Sequence, residues 1–150
     1  MKKLILIVSM IVSVSLVSAQ TGESSKAIAV PQALKASFAK DYPSIKSVKW
    51  DVEDGDYEVS FKLNGVDASV TYDKSGHKKD VEVAIKTAEL PAVILEYIKK
   101  NYATYKLIEA ATITNDKKEL TYEAEVGKNG KTWDLLFDTN GKFLKQVAGD

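Results

Sequence analysis

The sequence predicts an α+β protein: tandem helix-plus-four-strand repeats forming a curved antiparallel sheet, with two helices packed on one face. Three observations lead there. An apolar stripe with a four-residue recurrence occurs twice, each time with a proline at its start. Each stripe is followed by runs in which apolar and polar residues alternate. And "TYDKSG" in the middle of the chain returns as "LFDTNG" near its end, each closing an alternating run with Asp, two further residues and Gly.

Residues 1-19 read as a signal peptide. "MKK" supplies a basic start, "LILIVSMIVSVSLV" an apolar run, and "VSA" before Gln20 the small residues of a cleavage site after Ala19. The run is shorter than a membrane span of roughly 20 apolar residues, and no stop-transfer charges follow it directly, so no stable membrane anchor is expected after cleavage. With no Cys there is neither a lipobox nor a disulfide, and the hydrophobic core must stabilise the exported chain unaided. These features fit a periplasmic, outer-surface or secreted protein of a Gram-negative bacterium. Residues 20-27, small and polar, read as a flexible leader.

The first repeat is expected over 28-87. Val30, Leu34, Phe38 and Tyr42 form one helical stripe, with Pro31 in the first turn, where its missing N–H costs least. Four strands follow. Val48, Trp50 and Val52 alternate with Lys49 and Asp51; Tyr57, Val59, Phe61 and Leu63 alternate with Glu58, Ser60 and Lys62; Val66, Ala68, Val70 and Tyr72 alternate with Asp67, Ser69 and Thr71; Val81, Val83 and Ile85 give the fourth. The turns "EDGD", "LNGV" and "KSGH" supply the Gly that tight hairpins need.

The second repeat is expected over 88-150. Leu90, Ile94, Ile98 and Tyr102 fall opposite the first stripe, behind Pro91 in place of Pro31. The inward rows of its strands would be Ile108, Ala110 and Thr112, then Tyr122, Ala124 and Val126, then Trp133, Leu135 and Phe137, with turns at "KNGK" and "TNGK". "DKSG" and "DTNG" are thus one hairpin turn in two copies. A unit of about 60 residues buries only about 60% of its unfolded surface, so the copies are expected to share one core.

"VPQALKASFAKDYPSIKSVKWDVEDGDYEVSFKLNG", "LPAVILEYIKKNY" and "LLFDTNGKFLK" resemble the tandem PepSY-like, beta-lactamase-inhibitor-protein-like proteins common in Bacteroidetes. The resemblance covers about residues 28–147. It implies an exported protein of helix-plus-four-strand repeats whose relatives by fold include protein inhibitors of enzymes. It does not by itself assign a function.

The residues exclude several chemistries. Cleavage would remove Lys2 and Lys3 from 21 basic residues against 21 acidic ones, leaving a nearly neutral chain without the basic footprint of a nucleic-acid binder. The single histidine, His77, sits in a predicted turn, so a Ser-His-Asp arrangement would have to be built at a loop tip. Usual zinc sites need several Cys or His ligands. The acidic "DVEDGDYE" fails the calcium-loop spacing at Trp50 and Val52, and "DTNG" fails it at Leu136. No phosphate loop is present, and no catalytic residue, cofactor or metal site is expected.

A non-enzymatic binding module is the reading that remains, possible partners being an exported enzyme that it inhibits or another envelope protein. A structural or envelope-assembly role is the alternative, and an enzyme using Asp54 and Asp56 as an acid–base pair the least favoured. Candidate contact residues are the acidic tip Asp54, Gly55 and Asp56; the outward row Glu58, Ser60, Lys62, Asp67 and Ser69; and the apolar Ile113 and Leu136, which with Leu144 carry the parity occupied by polar residues in the first repeat and face outward unless a one-residue bulge turns them into the core. Trp50 and Trp133 lie on the inward rows and are expected in the core.

Overall fold

The computed structural model describes residues 28–53 and 55–149. The expectations for the signal peptide, for the leader and for Asp54 lie outside the described residues. Within them the chain runs α1 (Gln32–Asp41), β1 (Val48–Glu53), β2 (Asp56–Leu63), β3 (Val66–Tyr72), β4 (Lys78–Ile85), a short 3₁₀ turn, α2 (Ala92–Asn101), β5 (Lys106–Asn115), β6 (Leu120–Lys128), β7 (Lys131–Phe137) and β8 (Phe143–Ala148).

The helices start and stop alike because their ends are written alike. Pro31 and Pro91 stand one place before the first helical residue, with ψ of 138° and 140°, rather than inside the first turn. There they still accept the first helical bonds, from the Leu34 N–H at 3.1 Å and the Ile94 N–H at 2.9 Å. At the far ends the Tyr42 and Tyr102 N–H groups bond the carbonyls of Phe38 and Ile98 at 2.8 and 2.7 Å. Each tyrosine then folds back over its helix, Tyr42 stacking on Phe38 with centroids 5.0 Å apart.

The eight strands form one antiparallel sheet in sequence order, β1 through β8. Register decides which side chains meet the helices. Trp50, Val59, Val70, Val81 and Thr114 lie opposite one another across β1 to β5, and Val83, Thr112, Tyr122 and Phe137 across β4 to β7. Both helices therefore cover one face. The buried side chains do not merge into the single core expected from the sequence. Leu34 and Phe38 pack with Val59, Phe61, Ala68, Val70 and Tyr72, while Ile94 and Ile98 pack with Ala110, Ala124, Val126, Leu135 and Phe137. A ten-residue helix reaches only about 15 Å along the sheet, so each covers its own four strands. The β4–β5 ladder and Ile85, which packs against the second cluster, join the halves.

The second inward row departs from strict alternation. The β5–β6 register shifts between Leu107 and Glu109, so Leu107 pairs with Val126 and Ala110 with Ala124 while Ile108 is the extra residue. Ile108 leaves the core and is exposed. Its Cδ1 occupies the space above Gly127, where an added Cβ would come within 2.4 Å. A second shift leaves Leu144 between Phe143, paired with Phe137, and Lys145, paired with Leu136, and Leu144 is exposed. Trp50 and Trp133 pack at the edges of the two clusters, as their parity predicts.

The repeated turn has one construction. Asp73 Oδ1 accepts the Ser75 N–H at 2.8 Å, the Ser75 hydroxyl at 2.6 Å and the His77 N–H at 3.0 Å. Asp138 Oδ1 accepts the Asn140 and Lys142 N–H groups, both at 2.9 Å. Asn115 repeats the device on the Lys117 and Glu119 N–H groups, with Lys118 at φ 67° where the other two turns have Gly.

Candidate functional site

The face turned away from the helices is built by the opposite parity. Across it run Ser60, Ser69, Glu82, Ile113 and Thr121 from β2 to β6, and beside them Ala84, Ala111, Glu123, Leu136 and Lys145 from β4 to β8. A further row sets Glu109, Glu125 and Asp134 directly opposite one another on β5, β6 and β7. Like charges so placed destabilise a ladder unless one is neutralised or paired.

This face is far less open than alternation implies. Glu82 is 4% exposed, and Glu123 and Asp134 are 3% each. Both helices lie on the other side, so burial this deep requires the sheet to curl about its free face, which makes that face concave. Burial, and then Glu123, Glu58, Asp134 and Asp80, push the Glu82 carboxyl well above its usual range. Burial and Asp134, with Glu125 and Glu109 adding and Lys145 opposing, push that of Glu123 up to about 8. Glu109 is raised by burial and by Asp67.

The residues singled out from the sequence divide between this face and its margins. Glu58 and Ile113 are buried on it, and Ser60, Ser69 and Leu136 are half-buried. The exposed outward row expected at Glu58 is thus drawn into the concavity. Lys62 and Asp67 pair at 2.7 Å at its rim, both exposed. Gly55 has φ 87° and abuts Lys74, whose Cε would lie 2.7 Å from an added Cβ. Asp56 is ion-paired with Lys79, the residue left over where the β3–β4 register shifts, so it is half of a salt bridge. Glu82, Glu123 and Asp134 were not among the residues singled out. Their only sequence signal is an acid at outward parity in central strands.

The turn around His77 holds no nucleophilic relay. The Ser75 hydroxyl is engaged by Asp73, whose carboxyl it holds below the usual range, and His77 Nε2 lies 3.1 Å from Asp116 Oδ2 on the β5–β6 turn. Both partners of that bridge are exposed, so it ties two turn tips together at the surface. Among the described residues no group of three or more His, Asp or Glu is arranged to hold a metal, and no helix is long and apolar enough to cross a membrane.

Residues 20–77 and 63–145 each match the profile of a family described as candidate beta-lactamase-inhibitor-like, PepSY-like. No curated protein matches the chain. Among solved structures, a DUF2874 family protein from Bacteroides uniformis aligns with TM-score 0.69 and 20% identity over 79% of this chain and 89% of its own. A candidate periplasmic protein from Bacteroides eggerthii aligns with TM-score 0.69 and 19% identity, over 79% and 88%. A BLIP-like protein from Bacteroides fragilis aligns with TM-score 0.61 and 21% identity, over 80% and 89%. At such identities the likeness is one of fold.

Proposed function

The chain belongs to the beta-lactamase-inhibitor-like, PepSY-like family, and from that premise we propose that it is an exported, non-enzymatic module that binds another exported or envelope protein through the free face of its sheet. The observation that carries the reading is that face itself: eight strands with both helices on one side leave a concave surface in which the half-buried Leu136 and the buried Ile113 lie among acids, rimmed by the Lys62–Asp67 pair. Apolar anchors inside a polar rim are the anatomy of protein contact surfaces. Export is supported by the signal-peptide pattern of residues 1–19 and by likeness to a candidate periplasmic protein. Inhibition of an enzyme is the form of binding that the family's description favours.

The test is a pull-down from an envelope extract with the chain lacking residues 1–19, followed by titration against the recovered protein. Leu136→Ala is expected to weaken binding by about 1 kcal/mol or more while circular dichroism shows an intact fold, and His77→Ala is expected to leave affinity unchanged. Equal affinity in Leu136→Ala would move the contact off the face, to the Gly55–Asp56 tip. Failure to bind any single protein saturably would overturn the reading.

A further inference from the structure

β1 forms one outer edge of the sheet: β2 pairs with one side of it, and among the described residues no strand pairs with the other. The direction of its backbone groups is fixed by one bond. The Val52 N–H bonds the Asp51 side chain at 2.8 Å instead of a β2 carbonyl, so Val52, and by alternation Trp50 and Val48, turn their backbone N–H and C=O groups to the open edge. Val48 and Val52 are 38% and 43% exposed. No proline or bulge interrupts the strand, and its outward backbone groups are a template for pairing with another strand.

The sequence of that edge is complementary to itself. When a second β1 is laid antiparallel about a twofold axis at Trp50, Trp50 faces its own copy, Val48 faces Val52 and Lys49 faces Asp51. The residues that turn their backbones outward are the ones that meet, so the outward groups of Val48, Trp50 and Val52 find partners, the Val52 N–H exchanging Asp51 Oδ1 for the Val48 carbonyl of the second strand. The valines cover one another on the helix side. On the free-face side Lys49 and Asp51, 3.8 Å apart within the chain, gain two closer cross-strand pairs. β8 offers no equivalent. A twofold axis at Lys145 sets lysine against lysine, and one at Gln146 sets Lys145 against Val147. Pairing β1 with β8 would be head-to-tail and would leave free edges that continue to grow, whereas the twofold contact closes.

We propose that the chain forms a twofold dimer in which two β1 strands pair antiparallel about Trp50, joining two sheets into one. The join lies at the sheet edge and leaves the concave face accessible, so it stands apart from the binding reading above.

Sedimentation equilibrium of the chain lacking residues 1–19 tests it. A dimer mass is expected, with dimerisation weakened about tenfold or more in Lys49→Asp and in Asp51→Lys, each of which sets like charges opposite one another. The double swap Lys49→Asp/Asp51→Lys restores the opposite pairs and is expected to restore the dimer. Circular dichroism confirms that each variant is folded. A monomer up to millimolar concentration, a dimer indifferent to both single changes, or a mass that grows without limit would each overturn the proposal.

Discussion

A Cβ placed on Gly141 would lie 2.1 Å from Val93 Cγ1, because the turn after β7 is seated against the first turn of α2. Gly76 stands in the same place in the first half, where an added Cβ would meet Leu34 Cδ2 at 3.3 Å. The repeated turn is thus a seat for the helix start as well as a hairpin. Both glycines have positive φ, 78° and 90°, so alanine at either position is strained. At Gly141 it must also displace Val93, a β-branched side chain with one favoured helical rotamer. Gly141→Ala is expected to cost about 2–4 kcal/mol and Gly76→Ala about 1–2 kcal/mol, read from urea unfolding midpoints.

The turn at Asn115 repeats the construction with Lys118 in the glycine place, at φ 67° and exposed. The turn's bonds run from the Lys118 N–H to the Asn115 carbonyl and from the Lys117 and Glu119 N–H groups to Asn115 Oδ1, and none of them uses the Lys118 side chain. Lys118→Gly is therefore expected to stabilise the protein by up to about 1 kcal/mol, and a lower thermal midpoint would contradict this.

Much of this fold is legible because the duplicated halves carry the same periods. Leu34 and Phe38 align with Ile94 and Ile98, and the strand rows follow period two wherever the register is continuous. Legibility fails where one residue is inserted. Ile108 is as apolar as its neighbours, and only the pairing of Leu107 with Val126 shows that the chain has slipped past it. The candidate face was half legible. Its parity placed Ser60, Ser69, Ile113 and Leu136 on one surface, but burial of Glu58, Glu82 and Glu123 arises from curvature summed over many strands, which no local pattern encodes.

The two core clusters bear on cooperativity. Phe38 is edge-on to Phe61 at 5.0 Å in one, and Ile98 is buried in the other. Phe38→Ala and Ile98→Ala are each expected to cost about 2–5 kcal/mol. The continuous β4–β5 ladder, with Ile85 reaching into the second cluster, couples the halves, so a single unfolding transition is expected in every case. Two separated transitions in the unmutated chain would show that the clusters fold independently.

The acids of the concave face make stability depend on pH, with a definite sign. Burial and the charges of Glu123, Glu58, Asp134 and Asp80 act on Glu82; burial and the charges of Asp134, Glu125 and Glu109 act on Glu123, with Lys145 opposing them. Both carboxyls are raised in the folded chain, Glu123 to about 8. The folded state therefore holds protons that the unfolded state has released, and stability falls as pH rises above the unfolded value of about 4.3. For Glu123 the decline continues until pH passes its folded value of about 8 and then levels off. Glu123→Gln keeps the shape and removes the charge. It is expected to raise the urea midpoint at pH 8, by the order of 1–3 kcal/mol in stability, to change little near pH 4, and to flatten the profile between. If Glu123→Gln is no more stable than the parent chain at pH 8, burial in the free face does not hold the Glu123 carboxyl in its protonated form.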